Sequence, residues 1–205
     1  VIGGRVIPSF TANALRGVRQ YRSRWIDVLA LAGTGVALLL VLVAAPVVPT
    51  VAACVAAAAL QAARLAGWNP WAARRQALLW ILHVSYAWVP IGLVLLACGV
   101  AGKVPMSAGI HALTLGAIGG LIIGMITRTA LGHTARPLKA GRIEVAAYLL
   151  VQAAVLVRLA PILVPGLPYL PWTTVAASAW SLAFALYFAK YAPMLFAPRL
   201  DGRDG

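Results

Sequence analysis

Acidic residues are nearly missing from this sequence: four Asp and Glu stand against 17 Lys and Arg in 205 residues, for a net charge of +13. Charge of either sign is scarce, at 10% of residues, while 62% are hydrophobic and the mean hydropathy is +0.91. A soluble domain needs a charged surface, so this scarcity excludes one and leaves an integral membrane protein. Cysteine is scarce as well. Cys54 and Cys98 sit inside apolar runs without CxxC spacing, which excludes a disulfide framework and makes inert buried thiols the expectation. Methionine is missing from the start, and VIGGRVIPSFTANALRG lacks the charged-then-apolar order of a secretory signal. Those opening residues point to a fragment whose missing part lies upstream.

What the chain does have is apolar runs of membrane-crossing length. A hydrocarbon core about 30 Å thick needs roughly 20 apolar helical residues. Six runs qualify, at about 28–45, 50–66, 76–99, 108–127, 143–164 and 171–195. The second is the weakest because it is mostly alanine, which partitions only marginally into lipid. Pro90 lies inside the third and predicts a kink. The expected fold is therefore all-α, a polytopic transmembrane bundle of about six spans forming one domain over 1–205.

The basic residues test that count, because Lys and Arg accumulate in cytoplasmic loops. Arg5, Arg16, Arg19, Arg22 and Arg24 precede the first run; Arg64, Arg74 and Arg75 follow the second; Arg128, Arg136, Lys139 and Arg142 follow the fourth; Lys190, Arg199 and Arg203 come late in or after the sixth. The opposite loops hold only Lys103. Six spans with both ends cytoplasmic reproduce this alternation, and five do not. The positive charge thus reads as topology and contact with anionic lipid headgroups, with no nucleic-acid partner. Trp25, Trp68, Trp71, Tyr169 and Trp172 fall near expected interfaces, where amphipathic rings settle.

The stretch HALTLGAIGGLIIGMITRTALGHTARPL (111–138) carries two of the three histidines and the glycines Gly116, Gly120 and Gly124 at four-residue spacing. That spacing predicts a face where a neighbouring helix approaches closely. At 100° per residue His111 points away from Gly120, with Thr114, Leu115, Ile118, Ile122 and Met125 on its side. An imidazole at membrane depth needs a partner, which is either a hydrogen bond to a neighbouring helix or ligation of a metal or haem. His83, in the third run with Tyr86, Ala87 and Pro90 on its side, poses the same choice. His83 and His111 differ by about 14 Å in depth, too much for two axial ligands of one iron.

In the fifth run Glu144, Tyr148 and Gln152, with Arg158 beyond, form a polar stripe offered as a partner for His111. Arg158 lies near the depth of His111, where it either binds an anion such as a haem propionate or a Glu from another helix, or snorkels outward. His133 falls in a polar segment with Arg128, Arg136 and Lys139, which reads as a loop able to fold back over a site. His111 and His83 are the candidate metal ligands; His111, His83, Arg158, His133, Arg136 and Arg128 are the candidate cofactor-binding set.

The 111–138 stretch closely resembles the most characteristic segment of the NnrS family, and GGRVIPSFTANAL (3–15) resembles another of its loops. The matching positions are His111, Arg128, Gly132, His133, Arg136 and Pro137, with Gly4, Arg5, Pro8, Phe10 and Thr11. The resemblance implies a multi-pass protein of the bacterial inner membrane, containing haem and copper and linked to nitric oxide metabolism and nitrosative stress resistance, with no defined reaction. Family members resemble one another over about twice this length, so the resemblance also implies a partner in a missing N-terminal half. Two other readings stand beside it: half of a small-molecule transporter, with the fifth-run stripe lining a path, or an assembly subunit docked through its glycines.

Overall fold

The computed structural model describes residues 2–202, all of its regular structure being helical. In chain order the elements are α1 (Ile2–Ala14), α2 (Arg24–Leu42), α3 (Val47–Gly67), α4 (Pro70–Ala73), α5 (Ala77–Val100), α6 (Met106–His111), a π-helix (Ala112–Gly119), α7 (Gly120–His133), α8 (Arg142–Leu163) and α9 (Tyr169–Leu195). Helices α2, α3, α5, the continuous stretch 106–133, α8 and α9 are long and apolar enough to cross a membrane, making six candidate spans. The chain is a multi-pass membrane protein.

Sequence chemistry sets the helix ends. The Ser23 hydroxyl accepts the Ile26 amide to start α2, and Asn69, left-handed at φ 58°, accepts the Ala72 amide to start α4. Glu144 closes the start of α8 by accepting the Gly141 amide at 2.8 Å. The helix α5 runs unbroken through Pro90 and is the hub of the bundle, burying residues from Leu78 to Ala97, whereas α2 and α9 bury few residues and lie at its edges.

The glycines fix how closely α5 and the 106–133 span approach. Running antiparallel, Gly92 lies against Leu113, Leu96 against Gly109, Trp88 against Gly116, Ser85 against Gly120, and Leu82 against Gly124. A Cβ on Gly116 would overlap the Trp88 indole, and one on Gly120 the Ser85 hydroxyl. The small residues thus form the packing seam expected of membrane helices.

Three sequence expectations need correction. Arg64 is not in a loop: it is in the last turn of α3 and only 6% exposed, because Asp27 and Tyr86 satisfy its guanidinium inside the bundle. Arg128 and His133 are helical, since α7 continues past 127 to His133 before a left-handed Ala135 ends it. The wheel drawn at 100° per residue does not hold across Ala112–Gly119, where wider π turns reset the phase directly after His111. Ile118, Ile122 and Met125 instead line an apolar groove against Val6 and Ile7 of α1. Trp68 is core under Tyr86, while Trp25, Trp71 and Tyr169 are exposed as interface residues should be.

Candidate functional site

The bundle places its polar groups in two zones. One lies at the arginine-rich end, around α1, α3 and α5. Here Arg64 donates from Nε to Asp27 and from Nη1 to the Tyr86 hydroxyl at 2.9 Å; Tyr86 donates to Gln61, and Gln61 donates to Thr34 Oγ1 at 2.8 Å. Its guanidinium also faces the Trp68 ring at 5.3 Å. A buried charge is tolerated only when paired and hydrogen-bonded, and this chain of partners meets both conditions. Helix α1 covers the network. Gly4 lies so close to Arg64 that any side chain there would collide with the guanidinium, and Gly3 abuts the Tyr86 ring.

His83 belongs to the same zone and is 3% exposed. Its Nε2 lies 3.0 Å from Thr11 Oγ1, and the single Thr11 hydroxyl proton is donated to the Ile7 carbonyl at 2.8 Å. Thr11 can therefore only accept from the ring, so His83 carries its proton on Nε2 and its lone pair on Nδ1. Nδ1 is buried with no partner among the described residues. A metal-binding histidine is oriented in the same way, with one ring nitrogen donating and the other free. Here, however, the free lone pair is itself buried inside the bundle.

The second zone lies toward the opposite end. His111 is half-buried and makes no side-chain hydrogen bond with the described residues. It sits between Ala108 and Ala112, which pack against Val155 and Leu159 of α8, and it is within electrostatic reach of Arg158. Arg158 donates to Tyr169 Oη at 2.6 Å and Thr173 Oγ1 at 3.1 Å, with its guanidinium 4.9 Å from the Tyr169 ring. Those partners are neutral. The acids of the described residues are Asp27, Glu144 and Asp201, and they pair with Arg64, Lys190 and Arg199. Among the described residues Arg158 thus has no acid partner, and it lies within electrostatic reach of an imidazole that makes no side-chain hydrogen bond.

The rest of the fifth-run stripe turns away from His111. Glu144 accepts from the Tyr191 hydroxyl at 2.6 Å and pairs with Lys190. Gln152 accepts the Trp88 indole proton at 2.8 Å and donates to Ser85 at 3.2 Å, next to Gly120 in the glycine seam. Tyr148 packs edge-on to Trp80, its buried hydroxyl without a partner among the described residues.

Arg128 and His133 line a groove at the arginine-rich end with Phe10, Thr129, Gly132 and Leu138, and Arg136 follows in the next turn. The Arg128 guanidinium stacks 3.9 Å from the Phe10 ring centroid. The packing register sets His111 level with Leu93–Leu96 of α5, about ten residues or roughly 15 Å from His83. The six candidate residues therefore divide into His111 with Arg158, His83 under α1, and Arg128, His133 and Arg136 at the basic end.

Sequence reading missed Asp27 and Gln61, had Thr11 only through the family resemblance, and took Arg64 for a loop cation. The available signal was an acid and an amide inside or beside apolar runs that contain few others. Among the described residues no group of three or more His, Cys, Asp or Glu is placed to hold a metal ion. No curated protein and no solved structure matches the chain. A family profile described as NnrS protein matches residues 1–199, and the chain belongs to the NnrS family.

Proposed function

We propose that this protein is a haem-containing member of the NnrS family, acting in the bacterial inner membrane in nitric oxide metabolism and resistance to nitrosative stress, with the haem at His111 and Arg158. The observation that carries the reading is an imidazole with no hydrogen bond and, within its electrostatic reach, an arginine with no acid partner, both among the described residues of one end of the bundle. When bound, haem iron supplies a site for nitric oxide itself. His111, the residue directly before the π-helix, would offer an imidazole nitrogen to the iron. Arg158, positioned by Tyr169 and Thr173, would hold the negative charge of a propionate. His83 is too distant to take the second axial position. Copper remains the weaker proposal, since the described residues hold no cluster of ligands for it.

The test is the visible spectrum of the purified full-length protein with and without nitric oxide. A Soret band that shifts with nitric oxide, and is lost in His111→Ala, is the expected result. A haem-free wild type, or a band unchanged by His111→Ala, would refute the reading.

A further inference from the structure

The groove at the arginine-rich end is used by neither of the zones above. It is walled by Phe10 from α1, by Arg128, Thr129, Gly132 and His133 from the last turns of α7, and by Leu138 from the connection to α8, enclosing about 290 Å³. Its chemistry is mixed in a particular way. Arg128 lies over the Phe10 ring and has no acid partner among the described residues, whose acids are committed to Arg64, Lys190 and Arg199. Arg136, three residues beyond His133, has a guanidinium nitrogen that is fully buried and donates to nothing among the described residues. Leu138 is half exposed, and the space beside Gly132 is open.

A cation that donates in a fork, an exposed imidazole and an apolar wall at the end of a membrane span together suit a phosphate that carries hydrocarbon. We infer that this groove binds the headgroup of an anionic phospholipid, with Arg128 as the main phosphate donor, Phe10 lying under its guanidinium and Leu138 meeting the acyl chain. Basic pockets between spans are where such lipids bind specifically rather than by general attraction to the surface. The forked geometry of arginine matches two phosphate oxygens at once. Free phosphate shares that chemistry but has no use for Leu138.

The test uses the full-length protein in nanodiscs of phosphatidylcholine with and without phosphatidylglycerol, with co-purifying lipid counted by native mass spectrometry. Wild type retains phosphatidylglycerol through delipidation. Arg128→Gln lowers that retention about tenfold, whereas Arg16→Gln, an exposed arginine elsewhere in the basic segments, leaves it within about twofold. Should Arg128→Gln fail to fold, Leu138→Asp, at a surface position, gives the same loss by placing a carboxylate beside the phosphate. Retention unchanged by either variant, or wild type with no preference for phosphatidylglycerol, overturns the inference. So does inorganic phosphate at millimolar concentration protecting the protein from thermal unfolding in phosphatidylcholine as well as phosphatidylglycerol does, because the site would then be one for free phosphate.

Discussion

The zone around Arg64 and the zone around His111 are built from similar parts and finished differently. Each has an arginine, a tyrosine hydroxyl and a threonine hydroxyl, with a histidine nearby. Around Arg64 an acid completes the set, Tyr86 passes the hydrogen bond on to Gln61, and α1 closes over the top. Around Arg158 no acid stands among the described residues, and His111 makes no side-chain hydrogen bond with them. An unpaired group is expensive where it is buried, so the finished network under α1 holds the fold together; His111 and Arg158 are only half-buried, where an open imidazole and a cation cost less and stay available to a ligand.

The contrast is broken most severely at Arg64. Arg64→Leu leaves the Asp27 carboxylate and the Tyr86–Gln61 pair without their donor and should destabilise the protein by about 3–5 kcal/mol, seen as a large fall in thermal unfolding temperature in detergent or as failure to accumulate. The double variant Asp27→Asn with Arg64→Leu should recover part of that loss, since it no longer strands a charge.

Next in size is the glycine seam that holds α5 against the 106–133 span. Gly116→Ala, which drives a methyl into Trp88, should cost about 1–3 kcal/mol, whereas Gly35→Ala in α2, where nothing lies within 4 Å of the new atom, should be neutral or slightly stabilising in the same unfolding measurement.

Thr11→Val tests the histidine on the finished side. It keeps the shape but removes the acceptor of the His83 Nε2 proton, for a loss of about 1–3 kcal/mol. Thr11→Ser restores most of it. In histidine NMR the wild-type His83 ring should show the proton on Nε2, and Thr11→Val should lose that single-tautomer signature.

The smallest stability effect belongs to the unfinished side. Arg158→Gln gives up only contacts with two hydroxyls near the bundle surface and should change stability by about 0.5 kcal/mol or less.

The architecture was legible in the sequence because membrane spans advertise themselves by length and hydropathy, and the charge pattern vouched for the alanine-rich second span. Its ends were less so. Arg24, Arg128 and His133 belong to helices that run on past the apolar run, where backbone hydrogen bonding and capping decide rather than hydropathy. The glycine face was readable from its spacing, and it packs on α5 as that spacing implied. The phase of His111 was not, because no residue type signals a π-helix, and one such turn shifts every side chain beyond it. Arg64 was misplaced for a related reason. Positive charge near a span end reads as a loop until the matching Asp27, 37 positions earlier, is brought beside it by the fold. The separation of His83, His111 and His133 followed from their depths along the spans, but the partners of each, such as Thr11 for His83 and Phe10 for Arg128, depended on tertiary packing that periodicity does not carry.

The central claim is that His111 and Arg64 stand on opposite sides of a line between binding a group and holding a fold. The most direct measurement takes haem content and unfolding temperature together on purified full-length His111→Ala, with Arg64→Leu beside it. The account predicts that His111→Ala loses the haem band while the unfolding temperature of its haem-free form stays that of haem-free wild type. It predicts that whatever Arg64→Leu survives purification is strongly destabilised. Haem retained in His111→Ala, or a haem-free His111→Ala as unstable as Arg64→Leu, would contradict it.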